Sequence, residues 1–419
     1  MVPRNHRKHI RFPLLTGQNN RQLRFTLFGI IYFAQGAMMS YILTFNILYL
    51  GEYGYGDADV GVFHSILAIP FVLKMLFAVL SDRVSLFGLG HRRPYIIFGL
   101  LLQGIAMFVM ASMDIKNGLG VFALVAFFAA ISMSAYDTAT DGFALDITPE
   151  EEQGTIQGIM VGARAAGLLL VLLIGGWVVE RLGWIWLFRI VGILAFLPLP
   201  LVIRLPEGKR SADNIFRWNA FRAFTAPPVF MLAGIGLLYS VAIDGTNTFL
   251  SRHLKDVMDV PIGSVTIIIA LGMGGRILGA LSSGWVTDQI GQKKSLWLAV
   301  ALTSAGSIAL AFSRSVGLMA AAGVLFGLAY GYYTAAYAAV AMGFSNPRIA
   351  ASMFAIFMMM VNLGTAGGQG LGGILTQEVG FYRMCLLMGA LNLLNLPLVY
   401  WIFNSSGKRN IVLSGHKNK

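Results

Sequence analysis

Asp137, Asp141, Arg164 and Asp244 each stand inside a long apolar run. An ionisable side chain in hydrocarbon is costly, so it needs a partner or a function. Asp137 and Asp141 are four residues apart, which puts both carboxylates on one face of a helix. Asp137 lies nine residues before Asp146, where its run ends, and Arg164 lies ten residues after Gly154, where the next begins. At 1.5 Å per residue both sit ~14–15 Å from the same surface. Antiparallel helices joined by a short loop therefore bring them together, and an Asp137–Arg164 pair near the midplane is expected. Burial raises a carboxyl pKa and an adjacent arginine lowers it. Such a pair can exchange a proton as substrate or conformation changes, or it can simply tie two helices together. Asp141 lies one turn nearer the cytoplasm, within reach of water there.

Other polar residues share these apolar surroundings. Asp244, in SVAIDGTN, predicts a helix break whose backbone lines a cavity, or a span that ends early. Gln35 and Gln369 suit hydrogen bonding to a ligand, and interhelical bonding explains them equally well. Tyr330, Tyr332, Tyr333 and Tyr337 cover more than one helix face. Tyr333 and Tyr337 are the candidates to stack on a substrate ring, with aromatic packing as the alternative. Lys74 and Arg276 lie toward the cytoplasmic ends of their runs, where snorkelling or bonding to helix ends near the gates is expected, with substrate contact as the alternative. Enzyme chemistry finds no foothold. There is no Walker A sequence, the six histidines lack metal-ligand spacing, and Cys385 is the sole cysteine. No cofactor or metal is expected.

The elements that position these residues are membrane spans. Of 419 residues, 57% are hydrophobic and 12% charged, against roughly 25% charged in soluble domains. Twelve apolar segments lie near 25–49, 59–80, 95–113, 119–145, 154–179, 184–203, 229–250, 261–287, 295–312, 317–342, 350–376 and 383–403. Each is long enough to cross a bilayer as a helix and far too long for a barrel strand. The organisation expected is a cytoplasmic tail (1–24), a six-helix bundle (25–203), a cytoplasmic central loop (204–228), a second bundle (229–403) and a cytoplasmic tail (404–419). The net charge of +12 does not indicate nucleic acid, because the basic residues sit in short segments between apolar runs. With the N-terminus inside, 21 Lys and Arg fall in cytoplasmic segments and six in external loops, as the positive-inside rule requires. Both termini are therefore placed in the cytoplasm.

The two halves echo each other. Asp82, between spans 2 and 3, is followed by Arg83, Arg92 and Arg93. Asp288, 206 residues later, lies in Gly284-x-x-x-Asp288-x-x-Gly291-x-Lys293-Lys294 between spans 8 and 9. Pro149 matches Pro347 at an offset of 198, and Gly175 matches Gly372 at 197. Duplicated halves around a central site are a common transporter design. At the 198 offset, Asp137, Asp141 and Arg164 map to Ala335, Ala339 and Asn362, so the second half lacks these charges.

The pattern G-x-x-x-D-x-x-G-x-K-K resembles the loop motif of the major facilitator superfamily, and its first-half copy is looser. An acidic side chain at a helix end can pair with cations on a neighbouring helix in one state and release them in the other. The stretch KMLFAVLSDRVSLFGLGHRRPY (74–95) resembles folate–biopterin transporters and, more loosely, sucrose-type permeases. YFAQG (32–36) and SAYDTATDGFALDITPEEEQGTIQGIMVGARAAG, with Asp137, Asp141, Arg164 and Gly167, resemble AmpG-type muropeptide permeases and acetyl-CoA transporters. These resemblances imply an all-α fold of twelve helices in two pseudo-symmetric six-helix bundles. They also imply a monomeric, multi-pass carrier of the cytoplasmic (inner) membrane that imports a polar organic small molecule, with protons as coupling ion. RRPYIIFG and LDITPEEE also resemble bacteriochlorophyll-delivery proteins of the PucC type, which implies the alternative of a tetrapyrrole delivery or light-harvesting assembly factor.

Overall fold

The computed structural model describes residues 18–55, 57–86, 90–115, 118–204 and 225–404. The basic residues Arg4, Arg7, Lys8 and Arg11, loop residue Lys116, the central tract 205–224 and the tail beyond 404 lie outside the described residues. Twelve helices are long and apolar enough to span a membrane. They are α1 (Arg21–Glu52), α2 (Val62–Arg83), α3 (Arg93–Ala111), α4 (Leu119–Ile147), α5 (Glu150–Leu182), α6 (Trp184–Arg204), α7 (Pro227–Val257), α8 (Ile267–Ile290), α9 (Gln292–Phe312), α10 (Val316–Phe344), α11 (Pro347–Val379) and α12 (Phe381–Asn404). No strand occurs among the described residues. Helices close every backbone hydrogen bond internally, which hydrocarbon demands. Their outer faces carry exposed apolar side chains such as Phe230 (76%), Leu278 (64%) and Trp285 (61%), the surface lipid solvates.

Five spans depart from uniform helix, α6 with a turn at Leu197 and Pro198 and α12 with one at Leu394. In α2, Pro70 removes a backbone donor, and the helix breaks at Leu73 before resuming at Lys74. In α1 and α7, π-helical turns occupy Tyr41–Phe45 and His253–Val257. Such turns often mark functional regions.

Within each half, glycine lets backbones touch. Lipid offers no hydrophobic drive between helices, so close van der Waals approach does the work. A Cβ on Gly279 of α8 would lie 1.9 Å from the Leu328 carbonyl of α10, and one on Gly331 of α10 would lie 1.9 Å from the Arg276 carbonyl. GMGGRILG is therefore a packing seam. The pairs α1–α5 and α7–α11 use the same device, through Gly36 and Gly167 and through Gly364, Gly368 and Gly372.

The halves meet along α5–α8 and α2–α11. Gly154 and Gly158 of α5 lie against Gly284 and Ala280 of α8, and Ala78 of α2 packs with Ala351 and Ala355 of α11. These contacts lie toward the face from which α1 enters, called here the terminal side.

Substituting Gly331→Ala should lower stability by about 1–3 kcal/mol through overpacking. Gly234→Ala, where a Cβ meets nothing within 4 Å, should not. Thermal midpoints in one detergent test this, and equal midpoints would contradict the seam.

Candidate functional site

The first half holds a network of charge at its centre. Arg164 Nη2 lies 3.4 Å from Asp137 Oδ1, the two helices meeting as their short connection dictates. A third member comes from α2. Lys74 Nζ lies 2.5 Å from Asp137 Oδ2 and 3.2 Å from Asp141 Oδ2. The Tyr32 hydroxyl of α1 donates to Asp141 Oδ1. Gln35, also of α1, accepts from Arg164 Nε at 2.8 Å, and the Arg164 guanidinium stands 4.6 Å from the Tyr32 ring centroid. Two cations thus face two carboxylates, which is how buried charges avoid a prohibitive desolvation cost.

Two expectations need correction. Lys74 does not snorkel to the surface. The break at Leu73 resumes the helix at Lys74, and Ser134 Oγ of α4 donates to the Pro70 carbonyl at 2.8 Å, tying α4 to the break. Asp141 is not hydrated, because Tyr32 and Lys74 enclose it and it is 3% exposed. Arg164 is the open edge of the network, with its side chain 38% exposed against 6% for Asp137.

The second half builds a smaller cluster around Asp244. Its carboxylate accepts from Tyr330 Oη at 2.6 Å, Thr365 Oγ1 at 2.7 Å and Ser240 Oγ at 2.9 Å. The Arg276 guanidinium stacks 3.8 Å from the Tyr330 ring centroid, so Arg276 turns inward rather than snorkelling. α7 runs unbroken through Asp244 and Gly245, contrary to the break expected there. Gly245 instead admits the Gly368 and Gly372 backbone of α11. The tyrosine selection also changes. Tyr333 and Tyr337 are fully buried and packed on Tyr239, at 4.5 and 5.0 Å between centroids. Tyr337 Oη donates to the Leu232 carbonyl. Tyr330 reaches the cluster in their place. Gln369 is exposed, one turn beyond Thr365 on the same helix face.

On the terminal side the motif aspartates cross between halves. Asp82, at the end of α2, accepts from Arg92 Nη2 (2.6 Å) and from the backbone N–H of Ala351 (3.3 Å) and Ser352 (2.8 Å) at the start of α11. The Ser352 hydroxyl adds a bond of 2.7 Å. Asp288, in the last turn of α8, accepts from the backbone N–H of Gly154 and Thr155, both at 2.8 Å, at the start of α5. The Thr155 hydroxyl donates as well. A carboxylate at a helix N-terminus satisfies orphan donors and meets the positive end of the dipole. Among the described residues Asp288 pairs with no cation, so its partner is a helix end rather than the basic side chain expected.

Other motif residues divide. Arg92 is fully buried and also bonds Ser81 Oγ (2.8 Å) and Asp146 Oδ2 (2.9 Å). Arg93 donates to the Ile203 carbonyl within its own half, and Lys293 Nζ reaches Asn404 Oδ1 at 2.7 Å. Arg83 and Lys294 are exposed. Gly291 holds φ at +83°, a turn conformation that favours glycine. Gly284 is the close-approach residue, since a Cβ there would lie 2.7 Å from the Gly154 carbonyl.

Comparison with known proteins agrees with this architecture. The chain is 25% identical over 363 residues to a Haemophilus influenzae protein, covering 80% of this chain and 84% of that one. It is 24% identical over 321 residues to the anhydromuropeptide permease of Escherichia coli, covering 72% of this chain and 64% of the permease. A further similarity, 36% identity over 157 residues, is to the Escherichia coli arabinose-proton symporter, covering 37% of this chain and 31% of that one. The crystal structure of the Escherichia coli fucose:proton symporter superposes with a TM-score of 0.75 at 12% identity, covering 90% of this chain and 98% of that one. The family model described as Major Facilitator Superfamily matches residues 28–312 and 238–417. With twelve spans, two related halves and this match across nearly its whole length, the chain belongs to the Major Facilitator Superfamily.

Proposed function

We propose that this secondary transporter is an importer of a polar organic solute, driven by protons that bind within the Asp137 network. The single observation behind the reading is that network: Asp137 sits between Lys74 and Arg164 at mid-membrane depth, 5% exposed, while Arg164 remains accessible. An ion pair in low dielectric is strong only while both partners stay together. Protonation of Asp137 releases Arg164, and an arriving solute that draws Arg164 away makes protonation favourable. Proton and solute are thereby coupled through one side chain. Relatives that include proton symporters of sugars and a muropeptide permease support this class of solute and coupling. A delivery factor would leave that network a structural role only and give the accessible Arg164 no solute to meet.

The reciprocal capping by Asp82 and Asp288 closes the terminal side. On the reading that both termini are cytoplasmic, as the distribution of basic residues suggests, this state is closed inward. Rocking of the two halves about the site then completes alternating access. Breaking the caps is the step that opens the inner side.

Proteoliposomes with an imposed proton gradient test the coupling, using labelled anhydromuropeptide, galactose, arabinose and gallate as solutes. At least one should accumulate. Asp137→Asn should lose uphill accumulation at least ten-fold while keeping counterflow exchange. Accumulation by the variant with unchanged pH dependence would sink the coupling. For the closure, Ala355→Cys in a Cys385→Ala background reports opening of the terminal side. Hydrogen bonds to a charged group contribute about 1.5–3 kcal/mol, so Asp288→Ala should speed maleimide labelling of that cysteine more than ten-fold. Unchanged labelling would remove the capping role.

A further inference from the structure

Two arginines, one from each half, stand at the same depth on the α5–α8 pair. The antiparallel register is set by close contacts. Gly154 meets Gly284, Gly158 meets Ala280, and Gly162 meets Ile277 and Leu281. Continuing that register brings Arg164 level with Gly275, ~1.5–3 Å along the axis from Arg276. Both side chains also leave on one flank. On α5 the glycines facing α8 and Gly167, which meets Phe33 of α1, lie on opposite sides, and Arg164 emerges between them. On α8, Ala280 and Gly284 face α5 while Gly275 and Gly279 face α10, and Arg276 emerges between these sets. At 100° per residue on antiparallel helices the two guanidinium groups fall on the same flank. Their partners agree, since Arg164 reaches Asp137 and Gln35 and Arg276 covers Tyr330, which bonds Asp244.

Their charges are unequally met. Arg164 shares Asp137 with Lys74. Arg276 has no carboxylate within 4 Å among the described residues, and its buried Nε has no hydrogen-bond partner. It meets Asp244 only through Tyr330, and an arginine at this depth without a direct counter-charge is costly. Arg164, which shares its carboxylate with Lys74, and Arg276 face one space, repel each other and favour separation of the halves there. An oxyanion removes both costs, because the planar guanidinium fork is matched to carboxylate and phosphate geometry.

We infer that Arg164 and Arg276 together form an anion site spanning the two halves, which takes a carboxylate, phosphate or sulfate group of the solute. The inference rests on the transporter reading and narrows its substrate to an organic anion. Binding draws Arg164 from Asp137, which frees that carboxylate to accept a proton from water. Binding also removes the repulsion between the halves, so closure over the site follows occupancy.

Sulfate is the minimal probe. The purified full chain is heated in increasing sulfate, with chloride exchanged to hold ionic strength constant, and the saturable part of the rise in Tm is read. The wild type should show a saturable response. Arg276→Gln should weaken the apparent sulfate Kd at least ten-fold, and Arg276→Lys, which keeps the charge but not the fork, about three-fold. Arg252→Gln, which removes an exposed cation paired with Asp256, should leave it unchanged. A wild type without a saturable response, or an Arg276→Gln response equal to it, overturns the site. Should Arg276→Gln fail to fold, an unweakened Arg276→Lys overturns it equally. Because binding rather than transport is read, failure here leaves the carrier reading standing, and that reading falls only if proteoliposomes move none of the solutes offered.

Discussion

Charge buried in hydrocarbon must be neutralised by neighbours, and in this protein that requirement fixes where four helices of the first half stand. Asp137 and Asp141 on α4 draw Lys74 from α2, Arg164 from α5 and Tyr32 from α1. Removing one partner leaves another uncompensated, which costs several kcal/mol in low dielectric. The network is therefore a strong constraint on helix placement and also a sensitive one. A proton or a competing charge at its open edge, Arg164, alters the balance of the whole set. Structure and the proposed coupling draw on the same bonds.

Around that centre, rigidity and motion are divided between different contacts. Within each half, glycines bring backbones together so closely that a single methyl group has no space, as at Gly279 and Gly331. Between the halves, closure on the terminal side depends on two carboxylates, Asp82 and Asp288, each capping a helix of the opposite half. Backbone packing of the first kind does not yield in small steps. Hydrogen bonds of the second kind can be exchanged with water once the seam parts. Rigid bundles that move against each other follow from that division.

The halves are related in fold but not in chemistry. The first carries an ionic network of four charges. The second carries Asp244, held by three hydroxyl groups, and Arg276, stacked on a tyrosine. Two similar six-helix scaffolds carry different interiors. In the proposed mechanism, titration belongs to the first half. The second adds hydroxyl groups and a cation suited to holding a solute.

The sequence by itself determined how many spans there are and that Asp137 and Arg164 stand at matching heights along adjacent helices. Hydropathy and a rise of 1.5 Å per residue settle these matters, because both are local. The meeting of Asp137 and Arg164 was legible for the same reason, since only a short turn separates their helices. What only the tertiary structure decided was rotation about each axis and the choice of distant neighbours. Lys74 enters the network because α2 breaks at Leu73 and α4 grips the Pro70 carbonyl. Tyr330 rather than Tyr333 or Tyr337 reaches Asp244 because glycine packing of α8 on α10 sets the rotation of α10. Asp288 finds a helix end of the other half 133 residues away. Side chains a few residues apart point in different directions on a helix. Which direction faces a partner is settled by the packing of helices far apart in the chain.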